Sequence, residues 1–235
     1  MPPAWLNDLA KIYLAAALVS SLIIIWDLIA GHGQKMKVMN WVWPITALYF
    51  GPFTLWAYWR YGRPAADAEG GDKDAVFPAG RHEKEPKRTP EYVFVGATHC
   101  GAGCTVGDIV AEWAIYLAGF TIAGSELWPR YIFDFVAAFL LGIVFQYFAI
   151  APMRGEHGWR GIKSALKADS ASIAAFQIGM YGWMAITYFL LFRKPHLAVP
   201  SPTFWFMMQI GMLVGLLTTM PVNWLLIRRG LKERM

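Results

Sequence analysis

Residues 9–29 read LAKIYLAAALVSSLIIIWDLI, with Lys11 and Asp27 near the two ends as the only charged side chains. A helix of about 20 mostly apolar residues crosses the roughly 30 Å hydrocarbon layer of a bilayer. Lipid offers no hydrogen bonds, so a helix, which pairs its own backbone groups, is the natural conformation for such a run. Residues 41–59, 105–124, 131–150, 171–192 and 204–227 read the same way. The first stretch is long for a signal-peptide core and lacks a small-residue cleavage pattern after it, so it is expected to stay as an anchor.

Composition agrees with this reading. The chain of 235 residues is 57% hydrophobic and 16% charged, against about 25% charged in soluble domains. The fold class expected is therefore all-α, a polytopic transmembrane helical bundle of about six spans, with the lipid bilayer as its main partner. With six spans, of 21 Lys and Arg only Lys35, Lys37, Arg130, Arg193 and Lys194 fall on one side. The positive-inside rule then places both termini in the cytoplasm. The net charge of +5 reads as topology. No basic, aromatic-interleaved soluble surface is present to bind nucleic acid.

Between spans, residues 62–91 contain ADAEGGDKD and EKEPKR, polar and rich in Gly and Pro. They read as a flexible cytoplasmic linker between a two-helix hairpin, residues 1–61, and a four-helix unit, residues 92–235. Pro44 and Pro52 predict a kinked second helix. Trp159, Ile162 and Leu166 recur at helical spacing beside Arg160, Lys163 and Lys167. That pattern fits a short basic amphipathic helix on the inner leaflet, or an ordinary loop helix. Gly211 and Gly215 are four apart and allow close helix approach, within the bundle or in a homo-oligomer or larger membrane complex.

The one dense cluster of soft and ionisable side chains is THCGAGCTVGD, residues 98–108. A continuous helix puts Cys100, Cys104, Asp108 and Glu112 in one stripe. A break at Gly101 and Gly103 lets Thr105 cap a new helix. Length favours the break, because one helix from Tyr92 to Gly124 is about 50 Å long. The thiols then sit at a helix N-terminus at the cytoplasmic end of the third span, where the dipole favours thiolate. His99, Cys100, Cys104 and Asp108 form a candidate metal site for Cu(I) or Zn(II). The opposing reading is small residues for packing with inert cysteines. His157 is a candidate fourth ligand; His82 and His196 stand alone in loops.

Glu112, with Met180 and Met184 in the fifth span and Met208 and Met212 in the sixth, extends this site into a candidate ion path, since thioethers bind Cu(I). Met also fills irregular apolar gaps, which is its commoner use. Asp27 and Asp134 are expected near headgroups or paired locally with His32 and Arg130. Gln146, Gln177, Gln209 and Asn223 suit hydrogen bonds between helices. Gly-x-Ser-x-Gly, His-Glu-x-x-His and P-loop patterns are absent, so an enzyme is the less favoured class.

The segment 97–108, with FWFMMQ at 204–209 and PVNWLLIRRG at 221–230, resembles domain-of-unknown-function family 4396 of prokaryotic membrane proteins. The resemblance covers about Tyr92 to the C-terminus and implies a multi-pass protein of the prokaryotic cytoplasmic membrane, with no activity to carry over. The functional expectation is therefore handling or transport of a soft cation, copper above all, through His99, Cys100 and Cys104. A membrane thiol oxidoreductase or redox subunit is one alternative, and a structural subunit of a membrane complex another.

Overall fold

The computed structural model describes residues 2–34, 36–64, 89–122 and 127–232. Most of the expected linker and His82 lie outside the described residues. The protein is all-helical. Its elements are α1 (Ala4–Ile29), α2 (Met39–Phe50), α3 (Phe53–Ala57) continued by a π-turn (Tyr58–Gly62), α4 (Thr89–Ala118), α5 (Leu127–Arg154), α6 (Trp159–Ile186) continued by a π-turn (Thr187–Leu191), and α7 (Pro202–Arg228). Among the described residues five helices, α1, α4, α5, α6 and α7, are long and apolar enough to cross a membrane. Their outer faces carry Trp26, Leu117, Ile178 and Leu217, 65–77% exposed. Large apolar side chains on every side of a bundle need lipid, not water, around them.

The second expected span is the exception. Instead of crossing, residues 39–62 form a hairpin that enters and leaves the bundle at the same end. Pro52 restricts the residue before it, and Gly51 answers with φ 61° and ψ −146°, a conformation open almost only to glycine. The chain then doubles back. Trp43 of α2 meets the ring of Tyr58 edge to face at 5.7 Å, and Phe50 faces Phe53 across the turn at 6.0 Å. Tyr58 and Arg63 both donate hydrogen bonds to the carboxylate of Asp27, at 2.8 Å and 3.0–3.1 Å. Asp27 lies at the C-terminal end of α1, so the hairpin closes where it began. His32 is on the same carboxylate at 3.3 Å, the local pair expected from sequence, with Arg63 added.

The tip of the hairpin is held by Tyr13, whose hydroxyl donates to the carbonyl of Phe50 at 3.4 Å. Tyr13 is fourteen residues before Asp27 on α1, so the hairpin penetrates about 21 Å into the bundle. A Cβ on Gly51 would stand 2.7 Å from the Tyr13 oxygen. Gly51→Ala is therefore expected to cost about 1–3 kcal/mol, read as a lowered unfolding temperature in detergent. An unchanged midpoint would refute this tip geometry.

Neighbouring contacts fix the direction of each helix. Asn7 of α1 lies beside Thr203 of α7, and Tyr13 beside Phe206, so α1 and α7 run parallel. Trp113 of α4 stacks on Trp205 at 6.2 Å, while Gly96 lies beside Asn223, so α4 runs against α7. An odd number of crossings leaves the start of α1 and the end of α7 at opposite ends of the bundle. Among the described residues, five long helices stand where about six spans were expected, because residues 39–62 double back as a hairpin.

Two further corrections follow from continuity. The expected break at Gly101 and Gly103 is absent: α4 is one helix of 30 residues. At about 45 Å it exceeds the hydrocarbon layer and is accommodated by tilt and overhang. Its glycines do not break it because neighbours use the missing side chains. A Cβ on Gly103 would lie 2.6 Å from the Gly142 Cα of α5, and one on Gly101 2.6 Å from the Tyr49 hydroxyl. Likewise the expected short surface helix at 159–167 is the first part of α6. In α7, Gly211 and Gly215 pack against Met180 and Phe176 of α6, which is close approach within the bundle.

Candidate functional site

Helical continuity decides how the motif points. Cys100, Cys104, Asp108 and Glu112, four apart, form a stripe that climbs about 18 Å along α4. All four are buried. The free, buried thiols of Cys100 and Cys104 stand one helical turn apart on that stripe. They share one core cluster with Tyr49, Phe176, Met180, Met184, Met208 and Met212. Thr105 gives its hydroxyl to the Gly101 carbonyl at 2.7 Å and also reaches the Met212 sulfur at 3.6 Å.

His99 does not join them. It precedes Cys100 by one position, which turns it about 100° round the helix. Its ring meets Phe145 of α5 at 6.2 Å, and the charged groups in its electrostatic reach are Asp169 and Lys232. Both ring nitrogens are buried without a hydrogen-bond partner. His157 is exposed in the loop before α6. Among the described residues no three His, Cys, Asp or Glu side chains come together so as to hold a metal ion. The expected His99, Cys100, Cys104 and Asp108 quartet is thus divided: two thiols at mid-helix, the imidazole on another face, and the carboxylate one turn further along. The motif also lies in the middle of α4, not at a helix N-terminus.

Above the thiols, α4 meets a second group. Gln177 of α6 donates to Asp108 at 3.0 Å. Arg130 of α5 stands 3.6 Å from Glu112 and over the Phe204 ring at 5.8 Å. Asp134, one turn beyond Arg130, is within electrostatic reach of Glu112, Asp108 and Arg130. Asp134 is 1% exposed, so of the two expected placements, at the headgroups or paired locally with Arg130, the structure has the second. Glu112 and Asp134 thus stand by the Arg130 guanidinium, with Asp108 one turn behind Glu112 on α4. Oδ2 of Asp108 and Oδ1 of Asp134 have no hydrogen-bond partner. A pocket of about 380 Å³, including its open mouth, is lined by Glu112, Arg130, Tyr131, Met184 and Tyr188. The sequence reading, with its span beginning at residue 105, put Asp108 at the other end; with α4 running to Ala118, Asp108 and Glu112 lie in its last three turns, opposite Arg130 and Asp134 at the start of α5.

A lateral pocket of about 520 Å³, again including its mouth, lies between α1, α4 and α7 beside Thr105, Met208, Gln209 and Met212. Gln209 donates to the Leu48 carbonyl near the hairpin tip at 2.6 Å. The interhelical roles expected for Gln177, Gln209 and Asn223 are thereby met.

Helices of this length and surface define a polytopic helical membrane protein, with a sulfur-rich centre and a buried charged cluster towards one end. The sequence pattern of a domain of unknown function, DUF4396, matches residues 91–232, and the chain belongs to that family. The match covers α4 to α7 and leaves α1 and the hairpin outside it. No curated protein and no solved structure matches the chain.

Proposed function

We propose that this membrane protein binds and passes a soft cation, Cu(I) being the best match, through the sulfur-lined middle of the bundle. The observation that carries the reading is the placement of Cys100 and Cys104, four residues apart on one continuous helix, in a core cluster shared with Met180, Met208 and Met212. Thiolates and thioethers select Cu(I) over hard cations, and a bound cation would offset the charge of deprotonated thiols in a medium that otherwise penalises it. Cys100 and Cys104 would hold the ion, with Met212 nearest to hand through Thr105. His99 has no part in this site. Asp108 and Glu112 lie further along the same face of α4, with Asp134 of α5 near them, and this cluster suits a cation leaving or approaching the sulfur centre.

Charge distribution supports an orientation. With five crossings, among the described residues Lys11, Arg130, Arg193 and Lys194 belong to the end where α1 begins, and Lys37, Arg60, Arg63, Arg160, Lys163, Lys167, Arg228, Arg229 and Lys232 to the end where α7 finishes. The positive-inside rule puts that second end in the cytoplasm, with the protein in the cytoplasmic membrane of a prokaryote.

Purified protein titrated with Cu(I) against a chromophoric chelator is expected to take up about one equivalent. Cys100→Ser with Cys104→Ser should abolish uptake. Met212→Leu should weaken it about tenfold, a 1.4 kcal/mol loss, and His99→Ala should leave it within about twofold. Wild-type protein that takes up no Cu(I), or a double serine variant that keeps it, overturns the reading. The same placement of the thiols favours one alternative, a membrane dithiol oxidoreductase. That reading requires a Cys100–Cys104 disulfide to form and reduce reversibly with the fold intact, which mass spectrometry after mild oxidation reads directly.

A further inference from the structure

At the end of the bundle where α7 finishes lies a second polar site, built from oxygen instead of sulfur. The chain leaves α7 at Arg228, turns at Gly230 with φ 66°, and folds back so that the Leu231 and Lys232 amides both donate to the Leu226 carbonyl, at 3.0 and 3.3 Å. This turn drives the Lys232 side chain into the space between α4, α6 and α7. Its exposure there is 0%.

The ammonium group is surrounded by Asp169 Oδ1 at 2.5 Å, Asn223 Oδ1 at 2.9 Å and Ser172 Oγ at 3.4 Å. Ser172 and Asn223 are locked together by a further bond of 2.6 Å, and Thr219 ties α7 to the Ser172 carbonyl at 2.8 Å. On the α4 side the lysine stem passes Gly96, whose absent Cβ would stand 3.7 Å from its Cε. His99 of α4 is within electrostatic reach of Asp169 and Lys232; both its ring nitrogens and Asp169 Oδ2 are buried without a partner.

We infer that Asp169, Ser172 and Asn223 form a site for a small monovalent cation, Na⁺ or K⁺, and that Lys232 is a tethered cation plugging it. Three features carry this. The donors are one carboxylate and two neutral oxygens, a hard set. The positive charge is delivered by a three-residue turn beyond the helix, not by a framework position. Unused polar capacity remains beside it on Asp169 and His99. When the turn lifts, a buried carboxylate without a counter-charge is costly, and a small cation from the cytoplasmic side replaces the ammonium. The tail thereby gates the end of the bundle opposite the Arg130 cluster. This inference is independent of the sulfur site, since neither thiol contributes to it.

The test is thermal unfolding of the full chain in detergent with NaCl, KCl or choline chloride at equal ionic strength. Wild-type protein should unfold at the same temperature in all three. Lys232→Gln should become cation-dependent, its midpoint rising by roughly 5–10 °C in Na⁺ or K⁺ over choline. Adding Asp169→Asn should remove that dependence. Should the single variant fold in Na⁺ or K⁺ and not in choline, the inference holds equally. A Lys232→Gln protein that responds to no cation, or that is recovered folded in none of the three salts, overturns it.

Discussion

Gly107→Leu is expected to abolish the folded bundle. A Cβ at Gly107 would lie 2.4 Å from the Ala138 amide nitrogen, 2.5 Å from its Cα and 2.7 Å from the Ala137 carbonyl carbon. These are backbone atoms, so no rotamer change makes room, and α5 as a whole must move. Moving it separates Arg130 and Asp134 from Glu112 and opens the Gly103 contact with Gly142. Overpacking in an ordinary core costs about 1–3 kcal/mol. Here the obstacle is rigid and the loss should exceed about 3 kcal/mol, seen as the disappearance of a monodisperse peak on size-exclusion chromatography. Gly182→Ala is the matched control: nothing lies within 4 Å of its Cβ position, and Ala is the better helix former by about 1 kcal/mol. Equal behaviour of the two variants would refute the tight α4–α5 seam.

Arg130→Leu should be nearly as damaging for an electrostatic reason. Its side chain is 10% exposed and that of Glu112 4%, with Asp134 and Asp108 also buried nearby. Removing one partner of a buried ion pair typically costs about 3–5 kcal/mol, because the other charge stays buried without compensation. For a chain of this size that corresponds to a fall of about 10 °C in Tm. The effect is specific to charge. Arg130→Leu combined with Asp134→Asn should recover part of the loss, and a double-mutant cycle measures the coupling between the two positions. A cycle that shows strict additivity would separate Asp134 from the cluster.

The two ends of the molecule then differ in kind. Near the start of α7, the Glu112 and Asp134 carboxyl groups stand by the Arg130 guanidinium. Near its finish, one carboxylate is matched by one ammonium on a movable turn. Between them the α4 stripe presents sulfur. A cation traversing the bundle would meet oxygen, sulfur and oxygen in succession, which is why copper binding and alkali-cation binding are tested at different residues.

The Cys100, Cys104, Asp108 and Glu112 stripe was one of two readings the spacing allowed, because residues four apart in a helix share a face, and helix length argued for the other, a break at Gly101 and Gly103. The role of the glycines between them was not legible. Gly101 and Gly103 weaken an isolated helix, and only the backbones of α5 and the hairpin, packed against them, turn that weakness into close contact. His99 shows the same limit in reverse: its neighbour in sequence is a thiol, yet one helical step sends it to a different helix face.

What the sequence determined by itself is the class of protein, an all-α membrane bundle, since apolar length and backbone self-pairing are local properties of a single segment. It read six such segments where, among the described residues, five are long helices. Tertiary structure alone decided that residues 39–62 return without crossing. It also decided that Asp134 turns inward to Asp108 and Glu112, and that Lys232 folds back onto Asp169. Those outcomes depend on partners far along the chain. Asp27 and Arg63 are 36 residues apart, Asp108 and Gln177 are 69 apart, and Asp169 and Lys232 are 63 apart. Burial makes each pairing favourable only after the helices that carry it have packed.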